Sequence, residues 1–372
     1  LEVGTPDELR RQGVESLEAL AHDLRQRILS TCLRNGGHLG ASLGTVELAI
    51  ALHYSFHSPD EPIVWDVGHQ AYAHKLLTGR SGRFDTLRTT GGLSGFLSRE
   101  ESPHDVYGAG HSSTSLSAAL AMAWVRSHDP QESQRWTVAV IGDGGMTAGV
   151  ALEALNNARA LPTGPLLVVL NDNQMSISAN VGAIPAILAG GQGQAFFELF
   201  GFEYAGPVDG HNLRTLLETF AEIRGRYAGK PVLLHVLTQK GKGYAPAEEQ
   251  PAAFHGVSPV QSKLPESKTA APKTRSYSDA FGDALCEQAD RRPEVVAITA
   301  AMPEGTGLTK FTKRHPQRLF DVGIAEPHAV TFAAGLATQG YRPVAAIYST
   351  FLQRAIDPII HDICLQNLGV IL

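Results

Sequence analysis

Cysteine is scarce in this chain. Cys32, Cys286 and Cys364 lie far apart, which leaves neither a disulfide framework nor a cysteine metal cluster and fits a reducing compartment. No apolar run approaches the length of a membrane-spanning helix, and no signal peptide is visible, although an initiator methionine is also missing. The net charge is only −6 and no long basic or acidic block occurs, which argues against a nucleic-acid or membrane surface. A cytoplasmic protein is the expectation. With 372 residues of ordinary globular composition, the chain exceeds one typical domain and can bury large cores.

The densest signal runs from Thr137 to Met175. Thr-Val-Ala-Val-Ile precedes Gly142-Asp143-Gly144-Gly145, and Leu-Leu-Val-Val-Leu precedes Asn171-Asp172-Asn173-Gln-Met175. Both apolar runs lack polar alternation, as strands buried on both faces of a parallel sheet do. Residues 146–161 between them have the apolar content of a crossover helix, completing a βαβ unit. Two parallel strands end at the same sheet edge, so Asp143 and Asn173 are predicted to meet where open α/β sheets bind ligands. A glycine-flanked turn opening a helix suits a diphosphate. A carboxylate, an amide oxygen and a loop carbonyl are hard ligands suited to Mg²⁺. The nearest rival, a nicotinamide dinucleotide site, lacks its third glycine, because that position is Thr147.

Elsewhere the chain reads as alternating helices and short strands. An amphipathic helix over 16–32 stops at Gly36-Gly37, and His38 follows in a glycine-rich connection. A strand at 62–66 leads to His69, which would project from the Asp143 edge if the strands are parallel; His74 and Lys75, one turn on, read as surface. Residues 81–99 form a long loop of the kind that often serves as a lid. Gly110-His111-Ser112 then opens a helix, either as a plain Ser/Thr cap or as a second anion-ready start. Residues 189–194 are a Gly/Gln run, read either as a replaced loop or as a join across missing residues. A strand at 231–238 runs into Lys240 and Lys242, and Phe254-His255-Gly256 follows. A Ser-, Pro- and Lys-rich stretch then reads as a linker before a second α/β unit. That unit carries strands at 294–299, 318–322 and 343–348, helices at 277–289, 326–339 and 352–366, and the start of another strand at 369–372.

Gly142-Asp-Gly followed by Asn171-Asp-Asn resembles the thiamine-diphosphate motif of the transketolase-like enzymes. The wider text Asn171-Asp-Asn-Gln-Met-Ser-Ile-Ser178 resembles the 1-deoxy-D-xylulose-5-phosphate synthase family, and further blocks extend the likeness over nearly the whole chain. The resemblance implies an α/β fold of two transketolase-like thiamine-diphosphate-binding domains with mainly parallel sheets. The first, 1–256, would bind diphosphate and magnesium. A linker would span 257–275, and a pyrimidine-binding domain, incomplete at its C-terminal end, would span 276–372.

It also implies roles. Asp143, Asn173 and Met175 would hold Mg²⁺; Gly110, His111, Ser112, Gly142, Gly144, Gly145 and Lys240 would line the cofactor. Glu326 would bond a pyrimidine nitrogen, with Phe351 stacked on the ring. His38, His69 and His255 would stand in the active site, and Tyr348 and Arg354 on the substrate side. Where family members often have Gln after this Glu, this chain has Pro327, a residue suited to a first helical turn. The implied reaction joins pyruvate, with loss of CO₂, to D-glyceraldehyde 3-phosphate in a homodimer. Ketol transfer of the transketolase type, or a non-catalytic fragment retaining the fold, are the alternatives.

Overall fold

The computed structural model describes residues 4–161, 163–177, 179–259 and 275–372. Most of the expected linker, and Ser178 of the motif, lie outside them. The chain divides into two compact units, Leu1–Met175 with Ile187–Leu264, and Ser176–Ala186 with Pro265–Leu372.

In the first unit, β1 (Ile63–Trp65), β2 (Thr137–Gly142), β3 (Leu166–Asp172), β4 (Glu203–Asp209) and β5 (Val232–Leu237) form one sheet in the order β1-β2-β3-β5-β4. Every pairing is parallel. Side chains alternate between faces. Val138, Val140, Leu167, Val169, Leu234 and Val236 enter a core shared with residues of helices Val14–Asn35, Val46–Ser55 and Leu213–Gly225. The intervening Ala139, Ile141, Val168, Leu170 and Leu233 are buried as well, and helix Ser115–Ser127 packs against β1, β2 and β3. Burial on both faces is why these strands show no polar alternation.

The expected crossover helix is split. A single turn, Asp143–Met146, precedes Gly149–Ala158, with extended backbone at Ala148 between them. Asn212 caps the helix after β4, its side-chain oxygen accepting from the Thr215 N–H at 3.0 Å.

The second unit has a parallel sheet ordered β7-β6-β8, from β6 (Val295–Thr299), β7 (Leu319–Asp321) and β8 (Arg342–Ala346). Helices Tyr277–Arg291 and Glu326–Thr338 accompany it. Ile371 makes a parallel bridge to Val344, where the sequence suggested a strand start. The continuous helix expected at 352–366 is instead a series of short turns interrupted around Pro358, whose ring supplies no N–H for a helical hydrogen bond. Among the described residues no helix is long and apolar enough to cross a membrane.

Candidate active site

The parallel register of β2 and β3 sets Gly142 opposite Asn171, so Asp143 and Asp172 leave the sheet side by side at its carboxyl edge. Asp143 is buried, and its carboxyl is pushed well above the usual range, first by burial and then by the neighbouring Asp172 charge. Burial would raise Asp172 too, but hydrogen bonds from His235 and Asp143 prevail and hold it below its ordinary value. Asp172 Oδ1 accepts from the Gln174 N–H at 3.0 Å, and Asn173 Oδ1 accepts from the Met175 N–H at 3.1 Å. Gln174 has φ of 61°, so the chain curls back and keeps Asn173 and Met175 beside the strand end. Among the described residues no three His, Cys, Asp or Glu side chains are grouped to hold a metal. A cation at this edge would depend on a mixed oxygen set: one carboxylate, one amide and one carbonyl.

The second anion-ready helix start is tied to the same place. Asp66, the residue after β1, accepts from the Ser113 N–H at 2.6 Å and the Ser115 N–H at 3.1 Å. Ser113 Oγ donates to the Gly145 carbonyl at 2.7 Å. The helix has no side-chain cap of its own, so the plain Ser/Thr cap does not apply; a buried carboxylate from another strand end takes that role. Gly110, His111 and Ser112 approach this start partly exposed. Gly110 has φ of 144°, and no atom lies within 4 Å of the point a β-carbon would occupy.

His38, His69 and His255 converge from three chain segments. Their ring centroids lie 5.7 Å (His38–His69), 5.7 Å (His38–His255) and 5.4 Å (His69–His255) apart. Backbone contacts set this up. Gly37 bridges antiparallel to Val257, the Gly40 N–H donates to the Phe254 carbonyl at 2.8 Å, and Ser42 Oγ donates to the His69 carbonyl at 2.8 Å. Each ring keeps a buried Nδ1 without a hydrogen-bond partner among the described residues. Burial, reinforced by neighbouring cations, lowers His38 to about 4 and His255 to about 3, and His69 also moves well below its usual value. All three are therefore neutral imidazoles at neutral pH.

Lys240 joins the two clusters. It is buried, burial brings it down to about 8, and the Asp143 charge works against that fall. Its charge also helps to depress all three histidines. Lys242, by contrast, lies partly exposed with Nζ 3.5 Å from the Gln239 side chain.

Several participants carry no sequence signal of their own. Phe96, within the long loop, lies with its ring 5.1 Å from that of His38. Asp66 looks like an ordinary strand-end acid. His235 offered a faint clue, a polar residue inside an otherwise apolar strand. His74 and Lys75, expected at the surface, are fully buried: His74 bonds Asp105 and Lys75 bonds Glu101.

The second unit presents its own group. Asp321, ending β7, accepts from the Ala301 N–H at 2.9 Å and the Gly323 N–H at 3.0 Å, which shapes the turn into helix Glu326–Thr338. Pro327 occupies the first turn of that helix. Glu326 is 4% exposed, and its Oε2 is buried without a hydrogen-bond partner among the described residues. An orphaned buried carboxylate oxygen is costly, which marks a group held for something other than folding. Tyr348 and Phe351, beyond β8, stack with centroids 6.2 Å apart and planes 3° from parallel. Tyr348 OH donates to the Gly305 carbonyl at 3.3 Å, and Arg354 lies half-buried three residues after Phe351.

Comparison with known proteins gives the chain its relatives. Residues 1–195 and 190–238 match the family described as 1-deoxy-D-xylulose-5-phosphate synthase, and residues 273–372 match the transketolase pyrimidine binding domain. The overlap of the two first-unit matches falls on the Gly/Gln run. The chain is 52% identical to a 1-deoxy-D-xylulose-5-phosphate synthase of Geobacter sulfurreducens, over 99% of this chain and 65% of that protein. It is 51% identical to that of Thermomicrobium roseum, over 99% of this chain and 64% of that protein. The chain thus spans about two thirds of the length of such relatives. Among solved structures, transketolase from Leishmania mexicana superposes with a TM-score of 0.54 at 17% identity, over 94% of this chain and 66% of that one, which shows a shared fold.

Proposed function

The chain belongs to the 1-deoxy-D-xylulose-5-phosphate synthase family, and from that premise we propose that it binds thiamine diphosphate with Mg²⁺ and serves the decarboxylative condensation of pyruvate with D-glyceraldehyde 3-phosphate. The products are 1-deoxy-D-xylulose 5-phosphate and CO₂. The observation that carries the reading is the register that sets Asp143 beside the Asp172-Asn173 strand end. The proposal includes a cytoplasmic homodimer and the division 1–256, 257–275 and 276–372 into diphosphate domain, linker and pyrimidine domain.

The residues fit the cofactor. Asp143, Asn173 and the Met175 carbonyl would take Mg²⁺, as hard oxygen donors do. Gly142, Gly144, Gly145, Gly110, His111 and Ser112 would line the diphosphate, and the open space beside Gly110 leaves room for it. Lys240 would face the diphosphate with its cation, whose buried charge gains most from an anionic neighbour. Glu326 Oε2 would find its partner on a pyrimidine nitrogen, with Phe351 against the ring. When bound, thiamine diphosphate supplies an electron sink for breaking and forming carbon–carbon bonds.

The chain supplies orientation and proton handling. Neutral His38, His69 and His255 can each donate from one ring nitrogen and accept at the other, as proton movement at a carbonyl and a hydroxyl requires. Tyr348 and Arg354 would meet the phosphorylated aldehyde, Arg being suited to two-point phosphate contact.

Calorimetric titration of thiamine diphosphate with and without Mg²⁺, followed by a pyruvate-plus-aldehyde assay, tests the reading. Binding that needs Mg²⁺ is expected. Asp143→Ala should weaken it beyond the roughly 10–100-fold typical of losing a supporting residue; unaltered affinity would refute the ligand assignment. Turnover with a ketose-phosphate donor but not pyruvate would favour ketol transfer, and binding without turnover a non-catalytic role.

A further inference from the structure

A line of hydrogen bonds crosses the first-unit sheet beneath the proposed metal loop, and no role above uses it. Tyr204 lies on β4, His235 on β5 and Asp172 on β3, which are spatial neighbours in the order β3-β5-β4. Tyr204 pairs with Leu233, and His235 with Leu170. Leu233 and His235 are two residues apart, as are Leu170 and Asp172, so all three polar side chains share one face. His235 Nε2 lies 2.8 Å from Asp172 Oδ2, and His235 Nδ1 lies 2.8 Å from Tyr204 OH. An ionised carboxylate can only accept, so Nε2 carries the hydrogen, and in the neutral ring Nδ1 then accepts from the phenol. Phe197, fully buried, stacks against Tyr204 with planes 13° apart and closes the outer end.

Asp172 therefore has its two oxygens committed in different directions. Oδ2 is held from below by His235, while Oδ1 holds the Gln174 N–H and so fixes the curl that presents Asn173 and Met175. Asp172 also hydrogen-bonds Asp143. It thus touches the segments that carry all three proposed magnesium ligands without being one of them.

We propose that His235 and Tyr204 are positioning residues for magnesium, locking Asp172 so that the Asn173–Met175 loop and Asp143 keep the spacing a divalent cation requires. The inference rests on the reading of Asp143, Asn173 and Met175 as ligands. Tyr204 acts by fixing the histidine tautomer, and His235 by fixing the carboxylate.

The test is calorimetric titration of Mg²⁺ into the chain at saturating thiamine diphosphate. His235→Phe should weaken Mg²⁺ about 10–100-fold, the range for residues supporting a metal ligand. His235→Gln, which can still donate one N–H, should recover part of that loss. Tyr204→Phe removes one hydroxyl and no packing; it should weaken Mg²⁺ several-fold while lowering the metal-free melting temperature by only a few degrees, the cost of one unpaired ring nitrogen, and it carries the test if His235→Phe does not fold. Nitrogen-15 NMR of the metal-free protein should show His235 protonated at Nε2 in the unaltered chain, with that preference loosened in Tyr204→Phe. Asp143→Ala is the control. If it loses Mg²⁺ while Tyr204→Phe and His235→Phe bind as tightly as the unaltered chain, the positioning role is wrong and the ligand reading stands. If Asp143→Ala itself keeps Mg²⁺, the ligand reading falls, and this inference with it.

Discussion

Glu326 shows most plainly how a single residue can be out of balance with its fold. It opens a helix, where a carboxylate is welcome to the dipole, yet its Oε2 is buried with no hydrogen-bond partner among the described residues. Replacing the acid by the isosteric amide removes charge and little volume. Glu326→Gln should therefore keep the protein folded and cofactor affinity within a few-fold, while slowing hydrogen–deuterium exchange at the thiazolium carbon by on the order of a hundredfold or more. Exchange followed by proton NMR checks this, and an unaltered rate would count against the proposed role. A residue-scale contrast stands at Lys240 and Lys242, two positions apart in one glycine-rich loop. Gly241 between them has φ of 84°, and a β-carbon there would lie 2.6 Å from the Ala247 carbonyl carbon. Gly241→Ala should displace the loop, costing more than about 1 kcal/mol of stability and weakening cofactor binding together; denaturation and calorimetry on one variant read both.

At the scale of an element, the long loop before helix Ser115–Ser127 is held from beneath by buried charge. Arg80 bonds both oxygens of Asp105, at 2.7 and 2.8 Å, and His74 Nε2 reaches Asp105 Oδ1 at 3.0 Å. Lys75 Nζ contacts Glu101 at 2.5 Å, and Asp105 also accepts the Ser98 N–H at 3.0 Å. Phe96, which sits against His38, is thus carried on a loop fastened on both sides, Glu101 accepting the Ser94 N–H and Asp105 the Ser98 N–H, while Leu93 and Leu97 anchor it in the main core. Removing one partner from such a network strands the other charges. Asp105→Ala is expected to destabilise the first unit by ~3–5 kcal/mol in denaturant unfolding. A loss under about 1 kcal/mol would show that the loop is fastened by other contacts.

Across the whole molecule the notable quantity is the number of histidines kept neutral. His38, His53, His69, His74, His104 and His255 are all lowered, chiefly by burial, with His38 and His74 at about 4 and His255 at about 3. A depressed histidine is more readily protonated unfolded than folded. Stability is therefore fully present above the unfolded value near 6.5, and is lost as pH falls from there toward 4 and 3. Each such histidine contributes a slope of up to about 1.4 kcal/mol per pH unit inside that window. Melting temperatures should fall steeply between pH 6.5 and 4 and be nearly flat from 6.5 to 7.5. His255→Gln should shallow the acid limb. A profile equally flat on both sides of pH 6.5 would overturn this account.

The sequence by itself determined the parallel first sheet and the shared edge at which its strands end. Short β-branched and Leu-rich runs without polar alternation suit strands covered on both faces, and parallel strands deliver their following residues to one rim. It determined the family too, because Gly142-Asp-Gly and Asn171-Asp-Asn are contiguous text. What the tertiary structure decided is everything that depends on which distant segments touch. Local pattern could not place His74 and Lys75 in the interior, since a charged residue is buried only when its partner arrives, and Glu101 and Asp105 arrive from a loop with no periodicity. The same holds for Asp66 capping a helix some fifty residues later, and for the Tyr204–His235–Asp172 line. At Pro358 the local rule for proline outweighs the longer apolar pattern of 352–366, and the helix breaks there. Periodicity reports which face of an element is dry. Only the folded chain says which polar groups meet across it, because such contacts are fixed by pairing and not by spacing.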